Sequence, residues 1–139
     1  MTGYRLEDLQ PGVSASLAKT ITEADILMFS AVSTDTNPVH LDEEHAKASP
    51  FGGRIAHGML SAGLISAVLG TRLPGPGTVY LGQTLRFRAP VRIGDTVRAT
   101  AEVVSVDAEK RRATLRTTCT VAGKVVIDGE ATVMLPGPA

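Results

Sequence analysis

The chain has 139 residues, of which 43% are hydrophobic and 20% are charged, which is ordinary for one globular domain with its own core. Fourteen basic and fourteen acidic residues give a formal charge of zero, which argues against nucleic acid or an anionic membrane surface as a partner. The single cysteine, Cys119, excludes an intramolecular disulfide and a zinc site built from several cysteines. The sequence shows neither a leader pattern nor an apolar run near the roughly 18 residues of a membrane span, so it predicts a cytoplasmic protein.

The first predicted elements are a strand and a helix. Polar and apolar residues roughly alternate over Ser14–Ile21, the pattern of a half-buried strand. Thr22 and Asp25 then resemble a capping box that opens a helix. The side chains expected on the buried side of this helix are Ile26, Leu27 and Phe29.

The next segment is expected to be irregular. Pro38 blocks a regular helix across Ser33–His40 and favours extended geometry for the residue before it. Asp42 is the expected N-cap of a short polar helix that Pro50 stops, and Phe51–Arg54 is expected to be a flexible connector.

The second half predicts one buried helix followed by a sheet. Gly58–Gly70 is apolar on nearly every side, so we expect a buried helix. Strand-like stretches follow at Thr78–Arg88, Thr96–Val106, Ala113–Val121 and Lys124–Leu135, joined by short turns that require antiparallel pairing. The sequence therefore predicts a single α+β domain over residues 1–139, with a curved antiparallel sheet wrapped around one helix. The open sheet edges favour a homodimer.

Asp35, Asn37 and His40 are the first candidate site residues. A carboxylate and an imidazole that converge on one water can perform acid–base chemistry near neutral pH, and Asn-Pro favours the turn that would bring them together. The alternative is a surface turn in which Asp35 and Asn37 bond local backbone and His40 is solvated.

His57 and Gly58 are the second candidates. The backbone N–H of Gly58 would lack an acceptor inside its helix and would lie at the positive end of the helix dipole, where it suits a developing oxyanion. The alternative is a glycine that only lets the chain turn, with His57 as a packing residue.

Arg86 and Arg88 share a strand face and could contact a phosphorylated carrier or simply be solvated. Cys119 lacks a neighbouring base in the sequence, and the three histidines have no acidic partner at ligand spacing, so we expect neither a cysteine nucleophile nor a metal.

Several motifs together resemble one family. Asp35–His40 matches the D-x-N-P-x-H signature of the MaoC-like hydratases, which are (R)-specific enoyl-CoA hydratases of the hotdog fold. The similarity continues through Arg54–Met59, Tyr80–Gln83, Phe87–Val91 and Gly94-Asp95 in the same order, and it covers the chain beyond the first dozen residues. The short single-domain members of the family supply (R)-3-hydroxyacyl-CoA to polyester synthesis or related acyl metabolism.

The resemblance implies a hotdog fold, a homodimer, and reversible hydration of trans-2-enoyl-CoA to (R)-3-hydroxyacyl-CoA without a cofactor. By position it implies that Asp35 and His40 are the catalytic dyad and that Gly58 is the oxyanion donor. The implied substrate-binding residues, on the catalytic loop and the central helix, are Asn37, His57, Met59, Ala62 and Gly63.

Other activities stay open from the sequence. The same chemistry could act on acyl carrier protein thioesters, making the chain a 3-hydroxyacyl dehydratase. Thioester hydrolysis and non-catalytic acyl binding are further alternatives, because one fold hosts several functions.

Overall fold

The computed structural model describes residues 2–137 and contains four α-helices and six β-strands in that range. The helices are α1 (Glu23–Ser33), α2 (Pro38–Leu41), α3 (Glu43–Lys47) and α4 (Gly58–Thr71). The strands are β1 (Ser14–Thr20), β2 (Val79–Gln83), β3 (Arg86–Phe87), β4 (Thr96–Asp107), β5 (Arg112–Val121) and β6 (Lys124–Met134).

The strands form one antiparallel sheet in the order β1-β4-β5-β6-β2, and β3 also pairs with β6. Strands β4, β5 and β6 form the predicted meander. Ala122 and Gly123 make the β5–β6 turn with φ of 49° and 80°, the left-handed backbone that a two-residue hairpin turn requires. Strands β1 and β2 are the two ends of this order, so the expected sheet edges are present.

Helix α4 packs on one face of the sheet and forms the core with it. Alternate residues of β4 point towards the helix and are at most 1% exposed, namely Val97, Ala99, Ala101 and Val103. Small side chains in this set allow a helix to approach a sheet closely. The apolar helix side that meets the sheet includes Ile65, Val68 and Leu69.

Helix α4 is nevertheless not buried on every side in the single chain. Met59 is 54% exposed, and Gly63, Ser66 and Gly70 are exposed with it along one stripe of the helix. The expectation of burial all round was therefore wrong for the isolated chain, because the sheet covers only one face of the helix.

The capping box at the start of α1 is confirmed. The Asp25 N–H donates to Thr22 Oγ1 over 3.1 Å, and the Thr22 N–H donates to Asp25 Oδ2 over 2.9 Å. Lys19 also donates to Asp25 Oδ2, and these hydrogen bonds hold the pKa of the Asp25 carboxyl below its ordinary value, the Lys19 bond having the largest effect. Leu27 is 51% exposed, so its predicted place on the buried side was wrong.

Two other expectations need correction. Pro38 does not exclude a helix but starts α2, because proline is tolerated at the first helical position, where its missing N–H would be unpaired anyway. The stretch predicted as one strand over Thr78–Arg88 is two strands, β2 and β3, separated at Thr84-Leu85. Within residues 2–137, no helix has the length and apolar character needed to cross a membrane.

Candidate active site

A cavity of about 450 Å³ opens between the start of α4, the loop from α1 to α2, and the chain after β3. Its lining is mainly apolar, and three of its polar side chains, Asp35, His40 and His57, lie close together. Five of the predicted site residues line it, namely Asp35, His40, His57, Gly58 and Met59.

Local hydrogen bonds shape the loop that carries Asp35. Thr34 ends α1 with a left-handed φ of 65°, so the chain turns sharply there. The Asn37 N–H then donates to Asp35 Oδ1 over 3.2 Å, and the Val39 N–H donates to Asn37 Oδ1 over 3.2 Å as the N-cap bond of α2. Asp35 is exposed towards the cavity, and the single turn of α2 returns the chain so that His40 faces the same space.

His40 is buried, with 8% exposure, and its ring is fixed by the backbone. Nδ1 lies 2.8 Å from the Ile55 carbonyl oxygen. Because a carbonyl oxygen can only accept, Nδ1 carries the proton of this hydrogen bond. In the neutral ring, Nε2 therefore has the free lone pair.

Arg54 holds the same segment from the other side. Its Nε donates to the His40 carbonyl oxygen over 2.7 Å, and its two terminal nitrogens each donate to a Glu23 carboxylate oxygen over 2.8 Å. The hydrogen bond from Arg54 holds the pKa of the Glu23 carboxyl below its ordinary value, and the pKa of Arg54 is raised in turn. The Phe51–Arg54 connector is thus tied to α1 and α2, contrary to the expected flexibility.

Asp35, His40 and His57 each place a side-chain donor or acceptor atom within 4.8 Å of the other two. A water molecule that hydrogen-bonds over about 2.8 Å on each side can span up to about 5.6 Å. One water can therefore contact both the Asp35 carboxylate and a ring nitrogen of His40. The same three residues could also approach a metal ion. Nδ1 of His40 and Nε2 of His57 are in hydrogen bonds to protein groups, which leaves the other nitrogen of each ring for a water molecule or an ion. The arrangement suits proton transfer through a shared water.

His57 is 2% exposed and packs against His40 in the wall of the cavity. Its ring stacks on the His40 ring with a centroid separation of 3.8 Å and an interplanar angle of 26°. Its Nε2 is 2.9 Å from the Asp35 carbonyl oxygen and 3.1 Å from Ser30 Oγ. The Phe29 ring packs nearby, with a centroid separation of 4.8 Å.

Gly58 is the first residue of α4, so its N–H has no acceptor within the helix. A β-carbon added to Gly58 would lie 2.5 Å from Cδ1 and Cε1 of Phe87. The absence of a side chain thus lets the Phe87 ring lie directly on the helix start, beside the cavity.

Three predicted substrate-binding residues lie outside the lining of this cavity. Asn37 caps α2, Ala62 is buried in the core, and Gly63 lies on the exposed stripe of α4 with open space around its Cα. Arg88 lines the cavity and donates to Asp128 Oδ2 over 2.9 Å. Together with Arg86, it also lines a second depression of about 600 Å³.

Sequence reasoning missed several residues around the site. Ser30 binds His57 from α1, and no short-range pattern links residues that are 27 positions apart. Ser61 lines the cavity, and its buried Oγ has no hydrogen-bond partner among the described residues. A signal for Ser61 existed, since it follows Gly58 by three positions and so shares its helix face.

Burial raises the pKa of the Cys119 thiol to about 12, which makes it a poor nucleophile at neutral pH.

Comparisons with known proteins show which family the chain resembles. The family model described as "MaoC like domain" matches residues 7–127. The chain is 65% identical to an (R)-specific enoyl-CoA hydratase of Rhodospirillum rubrum over 96% of this chain and 92% of that protein. It is 56% identical to a 3-hydroxybutyryl-CoA dehydratase of Methylorubrum extorquens over 94% of this chain and 83% of that protein.

The fold is also found among solved structures. The unliganded R-hydratase PhaJ1 from Pseudomonas aeruginosa superposes with a TM-score of 0.92 and 47% identity, covering 98% of this chain and 88% of that one. The wrapped-sheet hotdog architecture expected from the sequence is thereby confirmed. The match over residues 7–127 and the high identity to these relatives show that the chain belongs to the MaoC-like domain family.

Proposed function

We propose that this chain is an (R)-specific enoyl-CoA hydratase, which reversibly adds water to trans-2-enoyl-CoA and yields (R)-3-hydroxyacyl-CoA. The observation that carries the proposal is the convergence of Asp35 and His40 in the lining of a mainly apolar cavity whose wall includes the N–H end of α4. An apolar cavity with a few polar groups suits an acyl thioester. The names of the two relatives, a hydratase and a dehydratase, describe the two directions of this reaction.

The geometry supports a specific assignment of the first proton transfer. Because Nδ1 of His40 donates to the Ile55 carbonyl, Nε2 is the nitrogen that can accept a proton from water. The Asp35 carboxylate, with Oδ1 held by the Asn37 N–H, orients the same water as its oxygen attacks C3 of the enoyl thioester. General acid–base groups of this kind contribute about 10²–10⁴ in rate.

The second half of the reaction uses the helix start. As the C3–O bond forms, the electron pair of the C2=C3 bond moves towards the thioester carbonyl and places negative charge on its oxygen. The Gly58 N–H donates to that oxygen, and losing one donor of this type typically costs about 10²–10³ in rate. The dyad then returns the proton to C2, so that water adds to one face. These steps use side chains and backbone of the chain, and we propose that no metal or further cofactor takes part.

We also propose that the enzyme is a cytoplasmic homodimer. Edge strand β2 carries three large apolar side chains that are about 40% exposed in the single chain, namely Val79, Tyr80 and Leu81. The exposed stripe of α4 adds Met59 and Gly63 to the uncovered surface. A second copy that covers these residues would extend the cavity wall along α4, which is how Gly63 would contact substrate.

The test compares variants of the dyad with crotonyl-CoA as substrate. We expect Asp35→Asn and His40→Ala each to lower the rate of hydration, measured as the rate at which the conjugated enoyl absorbance disappears, by at least about 10²-fold. His45→Ala, at an exposed histidine away from the cavity, is the matched control and is expected to retain wild-type turnover.

Product analysis separates the remaining activities. The (R)-3-hydroxyacyl thioester is the expected product, whereas free thiol without hydroxyacyl product would indicate a thioesterase. Faster turnover of carrier-protein thioesters than of CoA thioesters would instead favour a 3-hydroxyacyl carrier-protein dehydratase. Near-normal turnover in Asp35→Asn or His40→Ala would refute the assignment of the dyad.

A further inference from the structure

We propose that His57 is a positioning residue for the dyad. Its Nε2–H joins the Asp35 backbone to Ser30 of α1, and its ring stacks on one face of the His40 ring. This inference rests on the proposed hydratase function and explains why an imidazole is present at this buried position. His57 would then act through Asp35 and His40 rather than on the substrate itself.

The hydrogen bonds fix the tautomer of His57. Its Nε2 is 2.9 Å from the Asp35 carbonyl oxygen, which can only accept, so Nε2 carries the proton. Ser30 Oγ, 3.1 Å from the same nitrogen, is on α1, five residues before Asp35. One N–H thus joins the catalytic loop to the helix that precedes it.

The remaining nitrogen supports the same conclusion. Nδ1 of His57 is buried and has no hydrogen-bond partner among residues 2–137. Buried polar atoms are rarely left unpaired, and the exceptions need an explanation. A phenylalanine or leucine would fill the space without this unpaired atom, so packing alone does not account for the imidazole. The hydrogen bond to Asp35 does account for it.

The stacked rings connect His57 to the second dyad member. With the two ring centroids 3.8 Å apart, the His57 ring covers one face of His40, and the Ile55 carbonyl fixes the edge of His40. His40 Nε2 is therefore held in one direction. Because His57 contacts the Asp35 backbone and the His40 ring together, it sets the distance between carboxylate and imidazole. A misplacement of 1 Å in such a pair can cost about 10²-fold in rate.

Two substitutions at the same position separate the hydrogen bond from the ring. In His57→Phe the stacked ring is kept and the donor is lost. In His57→Gln the side-chain amide can place an N–H near the position of Nε2, but the ring is lost. We expect kcat with crotonyl-CoA to fall about 10²-fold in His57→Phe, with KM nearly unchanged, and to recover by about tenfold in His57→Gln.

The matched control is His45→Phe, the same exchange at an exposed histidine, which is expected to keep wild-type kcat. Thermal unfolding followed by circular dichroism identifies any variant that fails to fold. Wild-type kcat in folded His57→Phe would overturn the proposal. Equal losses in the Phe and Gln variants, in step with lower thermal stability, would also overturn it by showing a packing role alone.

The tautomer of His57 can also be measured in the wild-type protein, independently of the variants. Long-range proton–nitrogen NMR spectra of the imidazoles distinguish the two neutral tautomers. We expect His57 in the Nε2–H form and His40 in the Nδ1–H form. An Nδ1–H form of His57 would remove the hydrogen bond to Asp35 and refute the inference. A wild-type protein without hydratase activity would instead refute the proposed function, and the tautomer result would stand apart from it.

Discussion

Replacing Gly58 with alanine tests the contact between the start of α4 and Phe87. Alanine is about 1 kcal/mol better than glycine in a helix, so helix propensity alone would favour the substitution. The new β-carbon would, however, lie 2.5 Å from two carbons of the Phe87 ring. Since carbon atoms pack at about 3.5 Å or more, the ring or the helix start must move by about 1 Å.

That movement falls where the proposed oxyanion donor lies. A 1 Å displacement can cost about 10²-fold, which is similar to the loss of an oxyanion donor. We therefore expect Gly58→Ala to lower kcat/KM for crotonyl-CoA by about 10²-fold while the protein stays folded. Gly137→Ala, the same exchange at an exposed glycine outside the helices with open space around its Cα, is the control and is expected to keep wild-type activity.

A double-mutant cycle with Phe87→Ala identifies the cause. Removal of the ring creates space for the new methyl group, so Gly58→Ala should cost little in the Phe87→Ala background. The expected coupling is about 2–3 kcal/mol, the free-energy equivalent of a 10²-fold rescue. If Gly58→Ala keeps near-normal activity, or if its loss is the same in both backgrounds, the steric reasoning is wrong.

Two further predictions concern groups with shifted pKa values. Because burial raises the pKa of Cys119 to about 12, we expect its thiol to resist a disulfide reagent in the native protein at pH 8 and to react fully in denaturant; rapid native labelling would contradict this. The pKa of Glu23 is held below its ordinary value of 4.5 by the hydrogen bond from Arg54, so the ion pair stabilises the fold above pH 4.5 and loses that effect as pH falls through the lowered pKa. We expect Glu23→Gln to lower the free energy of unfolding at pH 7 by no more than about 1 kcal/mol, because Glu23 is half-exposed, and to approach wild type in acid. A difference that grows on acidification, measured by urea unfolding across the pH range, would reverse the sign and refute this account.

The sequence predicted the elements whose causes are local. Alternating residues marked β1, and long β-branched stretches marked β4, β5 and β6, in each case to within one position, because strand backbone favours both patterns. Thr22 and Asp25 marked the start of α1, since a capping box needs only residues three positions apart. The motif around Pro38 indicated the segment that brings Asp35 and His40 to the cavity, although its proline begins a helix instead of preventing one.

Contacts between distant segments could not be predicted in the same way. His57 meets Asp35 across 22 positions and Ser30 across 27, and Arg54 meets Glu23 across 31. Each contact depends on how α1, α2 and α4 pack, and residue spacing carries no such information. The sequence could suggest His57 only as a packing or substrate-binding residue, and its tautomer followed from the carbonyl oxygen beside it.

The sequence by itself determined the periodicity of the strands, the apolar character of the central helix, and the presence of a carboxylate, an asparagine and an imidazole on one proline-containing loop. Only the tertiary structure decided which nitrogen of His40 bonds to backbone, which ring stacks on His40, and which neighbour leaves no room for a side chain at residue 58. The physical reason is the separation along the chain over which each effect acts. Backbone propensities and capping act within a turn or two of the chain, whereas the placement of a proton donor or acceptor depends on atoms that folding brings together from separate segments.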